Sequence, residues 1–174
     1  MINFQQNHFE LFGLPAKFRV DLAQLEQAYR GIQSRVHPDK FVHASDADRR
    51  ASMQSATQVN EAYRTLKSPL ARARYLLGLQ QVDLQSESNT AMPPEFLLEQ
   101  MQWREAVEDA AQRPDELVAL AERLGREMQE QYAELERHLD SECSNKHAAE
   151  SVRKLMFLER LSEEIDDALE RSEA

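Results

Sequence analysis

His37, Asp39 and His43 are the side chains whose types invite chemistry. They lie close together around the stretch His37-Pro38-Asp39-Lys40-Phe41. An imidazole and a carboxylate two positions apart could shuttle a proton or begin a metal site. The spacing argues against both. A His-x-Asp-x-x-x-His loop has no helical repeat to converge its ligands, and no third or fourth ligand lies nearby. His8, His138 and His147 belong to no constellation. Cys143 is the only cysteine, which excludes an internal disulfide and any Cys-rich metal or cluster site. Four scattered glycines cannot form a phosphate-binding loop, so no ATP site of the chain's own is expected. The sequence therefore predicts no catalytic residue, metal or cofactor. What remains is contact chemistry: Pro38 fixes its own φ and biases His37 away from the helical region, leaving an exposed polar loop suited to recognition.

Two helices must carry that loop. Asp21 can cap the first, in which Leu22, Leu25, Tyr29, Ile32 and Val36 recur within a sector of about 80°. Arg30 and Arg35 fall outside this seam, and Gly31 interrupts the helix at a cost of roughly 1 kcal/mol against alanine. Beyond the loop, Ser45 and Asp48 have the spacing of a capping box. Ala56, Val59, Tyr63 and Leu66 then supply a second apolar stripe. The two stripes predict an antiparallel helical hairpin. His8 to Pro15 reads as an apolar turn too short for an independent helix, covering one end of it. Ser68-Pro69 starts a further helix from Leu70 to Leu79.

Gln80 to Pro94 is polar and ends in a proline pair, the pattern of a linker. Helices are predicted from about Glu95 to Ala111, Asp115 to Leu139 and Lys146 to Arg171, forming an antiparallel three-helix bundle. The second has Leu117, Leu120, Leu124, Met128, Leu135 and Leu139 on one stripe; the third has Val152, Leu155, Leu158, Ile165 and Leu169. The first differs. Phe96, Trp103, Val107 and Ala110 share a core face, while Leu97, Leu98 and Met101 project elsewhere, beside Glu105 and Glu108. Phe157 lies off the stripe of the third helix and could extend this second face. An apolar patch rimmed with acid suits a partner-binding site; cover by the linker or the first module is the plainer alternative.

The chain's 174 residues, 41% apolar and 30% charged with few glycines and prolines, fit a helix-rich soluble protein. No apolar run reaches the ~20 residues of a membrane span, and Met1 to Asn7 does not read as a signal peptide, so a cytoplasmic location is expected. The net charge of −10 is uneven: residues 1–80 carry 11 Lys/Arg against 7 Asp/Glu, residues 81–174 carry 10 against 24. Opposite halves suggest two faces for two partners. The basic excess is too small and too poor in aromatics for nucleic acid.

His37-Pro38-Asp39 between such helices, followed by Asn60-Glu61-Ala62-Tyr63-Arg64-Thr65-Leu66 and Pro69, resembles a J domain, the module that stimulates ATP hydrolysis by DnaK-type chaperones. Phe9-Glu10-Leu11-Phe12-Gly13-Leu14-Pro15, His37-Pro38-Asp39-Lys40-Phe41 and Arg72-Ala73-Arg74-Tyr75-Leu76-Leu77 narrow the likeness to the HscB family of co-chaperones in iron–sulfur cluster assembly. The resemblance runs from about His8 to Leu169. It implies an all-α protein with a J domain at 1–79, a linker at 80–93 and a three-helix bundle at 94–174. It also implies that the chain is a monomer with two partners. An HscA-type DnaK-like chaperone would meet His37, Pro38, Asp39, Arg30, Arg35 and Lys40; an IscU-type scaffold protein would meet Leu97, Leu98, Met101, Glu105 and Phe157. Two scaffold-side positions that are acidic in some relatives are Gln102 and Asp109 here, and Val36 stands where J domains usually carry an aromatic. The competing readings keep the J domain but make the bundle a general client holder or dimerisation arm, or make the loop a hydrolase built on His37 and Asp39.

Overall fold

The computed structural model describes residues 6–37, 45–84 and 93–173, which are mostly helical with no strand among them. The chain divides into two compact units, Met1–Leu76 and Leu77–Ala174, and the fourth helix crosses the division.

The first unit begins with α1, His8–Phe12. The sequence predicts only a turn here. A helix forms because both ends are closed locally: Asn7 and Glu10 make a reciprocal capping box, and Gly13, at φ 66°, turns the chain out in the left-handed region. Burial of Phe9 and Phe12 supplies what so short a helix lacks by itself. Helix α2, Leu22–Val36, is capped by Asp21, whose carboxylate accepts from the N–H groups of Ala23 and Gln24. Leu25 and Ile32 are buried, but Leu22, in the first turn, is 52% exposed and drops out of the predicted stripe.

Helix α3, Asp46–Lys67, starts at Ser45, whose hydroxyl accepts from the Asp48 N–H and donates to the Asp48 carboxylate. Its buried face is Ser52, Ser55, Val59, Ala62 and Leu66. Ala56, expected inside, is only half-buried. Helix α3 packs antiparallel on α2, and Tyr29 stacks on Tyr63 with ring centroids 4.1 Å apart. Tyr29 also donates to Asn60 and accepts from Gln33, both at 2.9 Å. Helix α4, Pro69–Leu79, buries Arg72, whose guanidinium lies 5.0 Å from the Phe18 ring and donates to the Leu66 carbonyl.

The second unit is a bundle of α5, Pro94–Ala110, α6, Pro114–Glu136, and α7, Asn145–Glu173. Proline opens both α5 and α6, one residue earlier than predicted, because the first helical turn needs no N–H from that position. Helix α6 gives way at Glu136 to a π-turn, Arg137–Ser141, so Leu139 sits half-buried in the turn instead of on a continuing helix. Cys143 leaves that turn at φ 50° and is exposed. Trp103, Leu117, Leu124, Leu158, Leu161 and Ile165 form the centre of the core, with Val107 and Phe157 at its edge. Arg123 covers the Trp103 ring at 4.4 Å.

Candidate functional sites

The first site is the end of α2. Proline at 38 forbids continuation, and His37 accordingly takes extended backbone, φ −61° and ψ 127°. His37 is exposed. Pro38, Asp39, Lys40 and His43 lie outside the described residues. Arg30 and Arg35 are exposed along α2, as the stripe predicts, but neither is a bare charge. Arg30 pairs with Glu26, and Arg35 donates through Nε to the Gly31 carbonyl at 3.2 Å. A pair this exposed holds its charge loosely, so it can re-pair with an approaching acidic surface at little cost. Sequence periodicity missed Ser52, whose hydroxyl donates to the Val36 carbonyl at 2.7 Å. A serine scores as polar in any stripe, and only its neighbour across the hairpin shows why it is inside.

The second site is the outer face of α5. Leu98 and Met101 are 57% and 59% exposed, Leu97 38%, and Glu105, Gln102 and Asp109 are exposed along the same helix. Phe96 turns inward and meets Phe157 edge-on, centroids 5.9 Å apart. Phe157 is thus a half-buried seam residue between α5 and α7. It presents part of its ring to solvent, where the stripe alone suggested an outward one. Lys154 ties the three helices together, reaching Glu127 on α6 at 2.7 Å and Glu99 on α5 at 3.4 Å. Burial alone would lower the Lys154 pKa; the hydrogen bond to Glu127 and the two carboxylate charges outweigh it and raise it above 10.5. Helical spacing gave no sign of this contact, since its partners come from separate helices.

Between α5, α6 and α7 lies a cavity of about 320 Å³ lined by Phe96, Glu99, Gln131, His138, His147 and Lys154 among others. His138 and His147 approach to 5.3 Å between ring centroids, and each uses Nδ1 locally, with Glu142 and Ser144 respectively, at 2.8 Å. The His138 hydrogen bond is the main cause of a lowered Glu142 pKa. Among the described residues no group of three or more His, Cys, Asp or Glu side chains is arranged to hold a metal, and no helix is long and apolar enough to cross a membrane.

Residues 92–166 match the family model described as the HSCB C-terminal oligomerisation domain. A co-chaperone protein HscB homolog of Azoarcus sp. is 53% identical over 99% of this chain and 98% of its own; that of Burkholderia thailandensis is 52% identical over 99% of both. Among solved structures, chaperone HscB from Vibrio cholerae is 37% identical with a TM-score of 0.85, covering 96% of this chain and 99% of its own. Human co-chaperone protein HscB is 27% identical with a TM-score of 0.89, covering 94% and 82%. With half its residues shared along nearly its whole length, the chain belongs to the HscB family of co-chaperones.

Proposed function

We propose that this co-chaperone works as a two-ended adaptor in the cytoplasm. Through His37-Pro38-Asp39 it stimulates the ATPase of an HscA-type DnaK-like chaperone; through α5 and Phe157 it delivers an IscU-type iron–sulfur scaffold protein to that chaperone. The observation that carries the reading is Leu97, Leu98 and Met101 left in solvent on a helix whose opposite face is fully used by Phe96, Trp103 and Ala110. Exposing a contiguous apolar face is unfavourable unless a partner covers it.

At the other end, Asp39 would accept charge-assisted hydrogen bonds from a chaperone arginine, with Arg30, Arg35 and Lys40 steering toward an acidic surface. No chemistry on a substrate is required of this chain. Holding both partners raises the scaffold's effective concentration at the chaperone. The test is a chaperone ATPase assay: His37→Gln abolishes stimulation and leaves scaffold binding intact. Normal stimulation by that variant would remove the assignment.

A second reading draws on the description of the matched family model, in which α5 would be an oligomerisation face. Light scattering across a concentration series separates the two. A mass that stays at one chain, with scaffold binding lost in Leu98→Ala/Met101→Ala, supports delivery. A mass that rises with concentration and returns to one chain in that variant supports oligomerisation.

A further inference from the structure

The last carbonyls of any α-helix have no donor within the helix. The usual remedy is a backbone N–H from the residue just past the cap. At the end of α2 the cap is His37 and the next residue is Pro38, which has no N–H to give. The residue that presents His37 at the surface thus removes the ordinary means of closing the helix behind it. Ser52 supplies a donor from the neighbouring helix. It is 95% buried, being 5% exposed, and its Oγ donates to the Val36 carbonyl at 2.7 Å. A buried hydroxyl is costly without such a partner, so this serine is placed for its bond and not for its bulk.

The register that brings the two together is fixed about two turns upstream. There Tyr29 stacks on Tyr63 and bonds Asn60, so α2 cannot slide along α3 without breaking a ring stack and a hydrogen bond. Val36 is the final residue of α2, and the direction of its carbonyl sets the plane of the peptide that leads into His37.

We propose that Ser52 is the positioning residue of the chaperone-contact element. By bonding the Val36 carbonyl it fixes the angle at which the chain leaves α2, and with it the presentation of His37. The inference rests on the reading of His37 as the chaperone contact, and it adds a residue on α3 that touches no partner. Binding energy from the basic face of α2 should be unaffected. What changes is the fraction of bound complexes in which His37 is correctly aimed.

Ser52→Ala removes the donor, and Ser52→Cys nearly conserves the volume with a weak one. Both are made in the full chain and checked for folding by far-UV circular dichroism. Two measurements follow. In NMR spectra of the co-chaperone by itself, the His37 amide and ring signals move in both variants, and the amides of the last turn of α2 exchange faster. In titrations of an HscA-type chaperone, maximal ATPase stimulation falls about fivefold, the scale set by one hydrogen bond, while the half-maximal concentration changes less than about twofold.

A serine that only stabilised the hairpin would lower its unfolding midpoint and leave the His37 spectrum where it was. His37 signals that superimpose on the unmodified protein's in both variants overturn the proposal, as does full stimulation. If the unmodified chain stimulates no ATPase, the adaptor reading fails. The His37 spectrum then still decides the latch: movement supports it and superposition overturns it.

Discussion

His8 lies flat on Tyr75, ring centroids 4.1 Å apart and planes 4° from parallel, while its backbone N–H donates to the Tyr75 hydroxyl at 2.9 Å. Burial against the first unit disfavours the charged ring and lowers its pKa below 6.5; the nearby Glu61 carboxylate opposes this less strongly. The sign of the linkage follows. Because the unfolded chain takes up the proton more readily, the neutral stack contributes stability that is fully present above pH 6.5 and is lost as pH falls through the folded value. NMR titration of His8 should give a midpoint below 6.5, and His8→Phe, which keeps the stack, should flatten the fall in stability between neutral pH and about pH 5. A midpoint at or above 6.5 would contradict the packing argument. None of this could be read from the sequence, where His8 is simply a polar residue beside an apolar run. Ser52 and Arg72 were hidden for the same reason: each is polar by type and inside by virtue of contacts with other segments of the fold. The exposed members of the α5 face were legible because helical periodicity needs no partner to be seen.

At the scale of elements, α2 and α5 each bury few side chains for their length. Gly31 sits in the middle of α2, and a Cβ added there would meet nothing within 4 Å. Its carbonyl accepts from Ser34 and Arg35, contacts an alanine would retain. Nothing in the structure explains the glycine. Gly31→Ala should therefore stabilise the first unit by about 1 kcal/mol, seen as a higher urea midpoint without loss of ATPase stimulation. A lower midpoint would reveal a steric role for the bare backbone. Helix α5 fully buries only Phe96, Trp103 and Ala110, since Ala106 and Val107 reach just the edge of the core and Leu97, Leu98 and Met101 face outward. Lys154 is the compensating tie. Lys154→Met should cost about 1 kcal/mol, the scale of a partly exposed ion-pair network, and hydrogen exchange should quicken across Pro94–Ala110 first. With its pKa raised, Lys154 contributes fully below pH 10.5 and loses that contribution as pH climbs past its folded value. Uniform exchange along all three helices would argue that α5 is held by its core residues alone.

Across the whole molecule the uneven charge and the two unlike sites serve one purpose only if they are joined. His37 lies in the positive half of the chain and Leu98 and Met101 in the negative half, so under the proposed function the two ends would favour partners of opposite charge. The effect of the adaptor proposed above would come from making the second encounter intramolecular, and it would vanish when the ends belong to different molecules. The sharpest consequence concerns two defective full-length chains mixed together. His37→Gln keeps the scaffold end and Leu98→Ala/Met101→Ala keeps the chaperone end, so the mixture contains every working surface. With an HscA-type chaperone and the scaffold present, the mixture should stimulate the chaperone's ATP hydrolysis no more than the Leu98→Ala/Met101→Ala chain by itself, whereas the unmodified chain should exceed both by about tenfold or more. Restoration of the full rate by the mixture would show that the two sites act in succession on separate molecules, and that joining them in one chain is not what drives the cycle.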